Sequence, residues 1–292
     1  MEIRKSTGER IFDLANIIVL SLACLAVLLP IVHVFASSLS STQALVHAKV
    51  SLWPVEFNLG NYAEIMHNDQ FWRAFGVSTF VVVVGTLIAL TVTVLMAYPL
   101  SKSYLRGRNA IMLMVVFTMI FYPPMIPLYL TVKSVGLMNT VWAMIIPAAM
   151  AQFNLLICLT FFRSLPEELY EAARMDGMSE SRMVWRIAVP LSKPIMMTLG
   201  LFYAEFFWNN YSSSLLYVTK TAIRPLQLFM YYMIAKTDMN EMAGNITEHA
   251  STVSPQGLQM ATIIIATIPI IIIYPFIQKH FIKGALVGSI KE

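Results

Sequence analysis

Cysteine is nearly absent. Cys24 and Cys158 are the two in 292 residues, and both lie inside apolar runs, so the chain has neither a disulfide framework nor a thiolate metal site to build on. No G-x-x-x-x-G-K-[ST] stretch and no strand-linked G-x-G-x-x-G occurs, which leaves nucleotide phosphates without a glycine-rich cradle. The five histidines (His33, His47, His67, His249, His280) are scattered, without H-E-x-x-H spacing, and no Ser/His/Asp set stands in a recognisable context. These absences argue against an enzyme. Charge is scarce too: Asp, Glu, Lys and Arg make up 12% of the chain, against about a quarter in an ordinary soluble domain. With a net charge of only +4 and no soluble basic patch, nucleic acid is not an expected partner.

What fills the chain is hydrocarbon, 58% by residue. It is gathered into runs of about 20 residues, the length that crosses a bilayer core of about 30 Å. Spans are expected at about 14–36, 75–100, 110–130, 141–162, 195–216 and 258–277. This makes an all-α polytopic membrane protein with six transmembrane helices in one domain, 1–292. The basic N-terminus followed by Ile17–Ala36 invites a signal-peptide reading, but the run exceeds the usual core of about 7–15 residues and is taken as a retained first span. Segment 37–72 has strand-or-loop character, and 217–257 reads as a polar connection. Pro123-Pro124 and Pro127 must interrupt or kink the third span, because each ring removes a backbone donor. Gly284 and Gly288 fall in a polar tail, outside any span, so a helix-dimer reading of that spacing fails.

Six spans place both termini on one side. Of the 20 Lys and Arg residues, 14 fall in segments on that side and 6 on the other, so the positive-inside rule makes the termini cytoplasmic. The same count puts the most charged stretch, 165–194, in the cytoplasm. It reads as a helix–Gly–helix elbow. Pro166, Glu167 and Glu168 open a first helix at the end favoured by the helix dipole, and Asp176-Gly177 stops it. Ser179 is placed to cap a second helix that Pro190 ends.

Within the elbow, Glu171-Ala172-Ala173-Arg174-Met175-Asp176-Gly177 followed by Ile187-Ala188-Val189-Pro190-Leu191 resembles the EAA loop of binding-protein-dependent ABC importer permeases, with Val189 where Leu is commoner. The resemblance extends to Arg10-Ile11-Phe12-Asp13, Ala97-Tyr98-Pro99-Leu100-Ser101, Leu105-Arg106-Gly107-Arg108-Asn109, Ile126-Pro127-Leu128-Tyr129-Leu130, Leu191-Ser192-Lys193-Pro194 and Pro225-Leu226-Gln227. These are similar to carbohydrate-importer permeases of the maltose-permease-like class, in particular its complex-polysaccharide subgroup, with an alginate-type importer as one instance.

The resemblance implies a permease subunit in the bacterial cytoplasmic (inner) membrane that passes an oligo- or polysaccharide by alternating access. The implied partners are a second permease subunit, by family preference a different chain, two cytoplasmic ATPase subunits, an extracytoplasmic solute-binding protein, and membrane lipid. ATP and Mg would be bound by the ATPases, with no cofactor in this chain. Glu171, Ala172, Ala173, Arg174, Asp176, Gly177, Ile187 and Pro190 would couple it to them. The residue types suit such coupling, since two alanines allow close approach, Glu171 and Arg174 offer charge, and Gly177 provides the elbow.

For the substrate path, Glu205 is the one acidic residue inside an expected span, in the stretch Tyr203–Tyr211. A carboxylate at that depth is costly unless it faces a partner or water. Trp208, Asn209 and Asn210 beside it suit sugar rings, which pair apolar faces with hydroxyl edges. Gln152 and Asn154 on the fourth span join this set. Glu205 reads equally as a structural hydrogen-bond partner, and no role carries over from the resemblance, since the subgroup has a small or apolar residue there. A secondary transporter would show inverted repeats and paired ionisable residues; no repeat is visible and Glu205 stands alone. A purely structural membrane subunit would leave the elbow without a purpose.

Overall fold

A computed structural model describes residues 6–121, 123–242 and 254–289, and every regular element among them is a helix. Three helices are long and apolar enough to cross a bilayer in one piece: Thr7–Ser38, Asp69–Ser101 and Pro255–Ile273, the last continuing as Pro255–Ser289. Three bent pairs bring the total to as many as six if each pair is one span: Arg108–Ile120 with Met125–Ser134, Trp142–Ala148 with Gln152–Ser164, and Glu180–Leu191 with Lys193–Asn209. The second pair bends by 50° and the third by 88°. Prolines stand at these breaks, where a ring costs a donor: Pro124 caps Met125–Ser134, and Pro147 lies in the 3₁₀ turn Ile146–Ala148.

Several expected boundaries shift. The fifth run ends as a helix at Asn209, not near residue 216, because Asn210 turns out of helical conformation and a separate helix, Ser212–Tyr217, follows. At 17 residues, Lys193–Asn209 is roughly 25 Å long. Segment 37–72 has no strand among the described residues; it holds the short helices Thr42–Val46 and Gly60–Met66. The connection at 217–257 contains a helix, Leu226–Met242, whose first amide donates to Ser78 Oγ at 2.7 Å. The helix of Pro255–Ser289 runs on through Gly284 and Gly288.

The chain divides into two compact units, Met1–Asn68 with Tyr232–Ile268 and Asp69–Tyr231 with Pro269–Glu292. In the first, the long helix Thr7–Ser38 is exposed along its whole apolar window. A helix apolar all round needs lipid or another protein as its surroundings. Its C-terminal end is tied down by Ser38, whose carbonyl accepts from Asn61 Nδ2 at 3.1 Å and whose hydroxyl lies 2.7 Å from that of Tyr62.

The second unit holds the elbow. Its axis is Asp69–Ser101, which packs along Lys193–Asn209 and Gln152–Ser164. Small residues allow the approach: Ala89 is fully buried, and a Cβ on Gly85 would stand 2.9 Å from the Phe207 ring. One hydroxyl ties three elements together. Tyr203 Oη lies 2.6 Å from Thr93 Oγ1 and accepts the Ala151 amide at 3.1 Å, satisfying a donor exposed by the break before Gln152.

Candidate functional site

The elbow is built as the sequence expects in its first half and differently in its second. Glu167–Met175 is a helix with Pro166 at its N-cap, Glu167 and Glu168 in the first turn and Arg174 in the last. Tyr170 and Ala173 are buried, whereas Glu168, Glu171, Ala172 and Met175 form an exposed face at helical spacing. Met175 is 89% exposed, a large apolar side chain with nothing of its own chain over it. The stop is a Schellman motif. The Met178 amide donates to the Ala173 carbonyl and the Gly177 amide to that of Arg174, each at 2.9 Å. Gly177 takes φ +75°, which an L side chain rarely adopts, and Asp176 is the exposed C-cap.

Ser179 stands at the N-cap of the second helix, but its side chain makes no cap bond; its Oγ lies 3.4 Å from that of Ser181. Pro190 does not end this helix. Glu180–Met183 widens into a π-helical segment, Val184–Ala188, and continues through Pro190 to Leu191. The wider turn accommodates a ring that lacks a donor and would crowd the carbonyl four residues back. Ile187 is half-buried in this segment and Pro190 is exposed.

A charge network that the local sequence pattern does not announce holds the elbow to the Ser101 end of the long helix. Lys102, only 4% exposed, donates to Glu167 Oε2 at 2.9 Å and sits 3.2 Å from the centre of the Tyr170 ring. Arg174 reaches both halves of the elbow: Nη1 is 3.5 Å from Glu167 Oε1, and Nε donates to Glu180 Oε1 at 3.3 Å. Its Nη2 donates to Tyr104 Oη at 3.0 Å. Glu180 accepts in addition from Tyr104 at 3.0 Å and from Tyr98 at 2.8 Å. Arg174 is therefore turned inward, while Glu171, three residues before it, faces out. In the sequence, Lys102 and Tyr104 stand out only as part of a short basic loop. Nothing around them signals partners 65 to 76 residues downstream.

Electrostatics follow from these contacts. Burial alone would raise the Glu180 carboxyl, but the bonds from Tyr98, Tyr104 and Arg174 outweigh it and hold the group below the ordinary carboxylate range. Burial, reinforced by the acceptor Glu180, keeps the Tyr104 hydroxyl protonated above its ordinary value. The Tyr170 hydroxyl is pushed up to about 12 by burial and by the charge of Glu167.

The residues expected along a substrate path do not form one cluster. Glu205 Oε1 accepts from Asn209 Nδ2 at 2.8 Å, one helical turn on, and both side chains are exposed. Trp208 points to the buried side and meets Phe75 edge-to-face at 6.0 Å. Asn210 caps the next helix, accepting the Ser213 amide at 3.2 Å. Gln152 pairs with Thr118 at 3.4 Å, and Asn154 is buried in the same helix.

Comparison with known proteins places these features in context. Residues 89–286 match the family described as binding-protein-dependent transport system inner membrane component. The chain is 43% identical to Protein LplC of Bacillus subtilis (strain 168), over 97% of this chain and 95% of that one. It is 40% identical to the polygalacturonan/rhamnogalacturonan transport system permease protein YtcP of the same organism, over 97% and 99%. Among solved structures, a chain from a bacterial ABC transporter involved in the import of the acidic polysaccharide alginate superposes with a TM-score of 0.88 at 32% identity, covering 96% of this chain and 99% of that one.

Proposed function

This chain belongs to the family of binding-protein-dependent transport system inner membrane components, and from that premise we infer that it is the permease subunit of an ABC importer for a complex saccharide, driven through the elbow at 165–194. The single observation that supports the coupling role is the elbow's outward face. Glu168, Glu171, Ala172 and Met175 stand clear of the rest of the chain on a helix whose other side is buried and whose end is fixed by Gly177. Such a face suits a cleft in a cytoplasmic ATPase. The chain would work in the inner membrane beside a second permease, with two ATPases binding ATP and Mg and an external binding protein delivering the sugar. ATP drives such a cycle only because its binding favours one permease conformation over the other.

The saccharide reading draws on the polysaccharides named for the relatives. An acidic chain passing Glu205 would meet a carboxylate bonded to neutral Asn209. It would need that group protonated or offset by cations of the second permease. Glu205→Gln keeps the bond to Asn209 and removes the charge. If Glu205 lines the path, the variant shifts uptake toward acidic oligosaccharides relative to neutral ones; a purely structural Glu205 leaves that ratio unchanged. The coupling role is tested in the reconstituted importer with Glu171→Lys and Gly177→Pro. Both are expected to lose bound ATPase and ATP-driven uptake, and retention of both activities would defeat the assignment.

A further inference from the structure

The charge network behind the elbow has a role that a docking face does not require. We propose that Arg174 and Lys102 are positioning residues that lock the elbow to the Ser101 end of Asp69–Ser101, so that elbow, helix end and the turn after it move as one body. This rests on the reading of 165–194 as the ATPase-coupling segment.

Arg174 carries the argument. Three of its nitrogens are committed within the chain, to Glu167, Glu180 and Tyr104, and its guanidinium lies 5.1 Å from the centre of the Tyr104 ring. It links the first elbow helix to the start of the second and links both to the turn that follows residue 101. A planar fork can bridge three acceptors at once; a lysine ammonium on a flexible stem cannot hold the same geometry. Lys102 supplies the second anchor. Its ammonium is buried, with Glu167 on one side and the Tyr170 ring on the other, so swinging the elbow away would strip a buried charge of both partners. Beneath these polar ties, Tyr98, Phe162, Tyr170, Ala173 and Met183 belong to one buried cluster. Force applied to the exposed face thus passes to the long helix and, along its packing, to Lys193–Asn209, without a hinge at the elbow's base.

The test uses the assembled importer, with this chain carrying Cys24→Ser and spin labels on Ser103→Cys and Ser181→Cys, both exposed positions. The expected result is one distance that is the same in nucleotide-free and ATP-bound transporter. Arg174→Lys is expected to broaden that distance and cut uptake per ATP hydrolysed by about tenfold, mid-range for residues sharing one charge network, while the bound ATPase stays at the wild-type amount. Tyr104→Phe, which removes a single oxygen, gives the same change to a smaller degree and covers the case of a misfolded Arg174 variant. A wild-type distance that changes with nucleotide overturns the proposal, as does an Arg174→Lys variant with unaltered coupling. Loss of ATPase from Arg174→Lys also overturns it, by making Arg174 a docking contact. Failure of the docking reading is separate: it would appear as full ATPase retention by Glu171→Lys.

Discussion

Gly177 and Gly136 offer a matched pair for testing the elbow. Each ends a helix in a left-handed conformation, at φ +75° and +76°, and each closes the same pair of bonds: Met178 to Ala173 with Gly177 to Arg174, and Leu137 to Val132 with Gly136 to Lys133. At both sites a Cβ would meet nothing within 4 Å, so alanine costs backbone strain alone. That strain is about 1–2 kcal/mol, a factor of about 5–30 in an equilibrium. Gly136 lies between the third and fourth expected spans, far in sequence from the elbow. If an ATPase binds only the folded elbow, the Gly177 variant can relax when undocked and must take up the strain on docking. Gly177→Ala should then weaken ATPase binding about 5–30-fold, measured as the ATPase concentration that half-saturates hydrolysis in liposomes. Gly177→Asn, which tolerates the left-handed region, should recover most of the loss. Gly136→Ala should leave binding unchanged. Equal weakening by both alanines would mean that general stability is being read, and no weakening by Gly177→Ala would refute the claim that the elbow is the docking element.

Three other outcomes follow from the packing and charge. Tyr203→Phe removes the hydroxyl shared by Thr93 and the Ala151 amide, and should cost about 1–3 kcal/mol of stability in detergent unfolding; an unchanged transition would show that the break before Gln152 does not depend on it. Gly85→Ala drives a Cβ to 2.9 Å from the Phe207 ring, for a loss of about 1–3 kcal/mol that Phe207→Leu in the same chain should relieve; a neutral single variant would contradict the close approach. The Glu180 carboxyl is held below its ordinary value, so its contribution is present above the unfolded pKa and is lost as pH falls through the lowered folded one. Amide exchange in residues 167–188, corrected for its intrinsic pH dependence, should therefore show constant protection from neutral pH down to about 5 and weaken only in more acidic solution. Protection already lost by about pH 5 would contradict the network.

Much of this is legible in the sequence because hydrocarbon length and glycine chemistry are local. The apolar runs, the interruption at Pro123-Pro124 and the stop at Gly177 each depend on a few adjacent residues. Leu226–Met242 is hidden for a physical reason. Its apolar part, Leu226–Ala235, is too short to span a bilayer, and Lys220, Arg224 and Lys236 around it make the segment read as polar. Pro190 misleads in the opposite direction, since a ring that normally stops a helix is absorbed by the π-helical turn before it. Asn210 cuts the fifth run short by capping the next helix with its own side chain. The triplet Asn245-Ile246-Thr247, which matches a glycosylation sequon of a kind that arises readily by chance, and Lys291, one of the basic residues counted on the side of the termini, lie outside the described residues.

The motif residues themselves show why a pattern locates a site more readily than it assigns roles. Glu171 and Arg174 are three positions apart, carry opposite charges and both read, in the sequence, as contacts for another protein. On a helix with Tyr170 and Ala173 buried, Arg174 stands at the edge of the buried face, while Glu171, on the side away from it, is left in the open. Which one turns inward is decided by residues remote in sequence, because the Glu180 carboxylate, held by the Tyr98 hydroxyl that donates to it, and the Tyr104 hydroxyl make an acceptor site that the arginine fills. The same logic holds for Trp208, which by sequence sits beside Glu205 as part of a path. Three positions on, it turns to the buried side and packs on Phe75, leaving Glu205 with Asn209 on the exposed one. In both stretches the outward residue stands open to another molecule, Glu205 while bonded to Asn209 of its own helix, and the inward residue fixes the helix that presents it. On the proposed coupling role a permease that transmits force needs both kinds, and the inward set at the elbow would then serve it as much as the exposed face does.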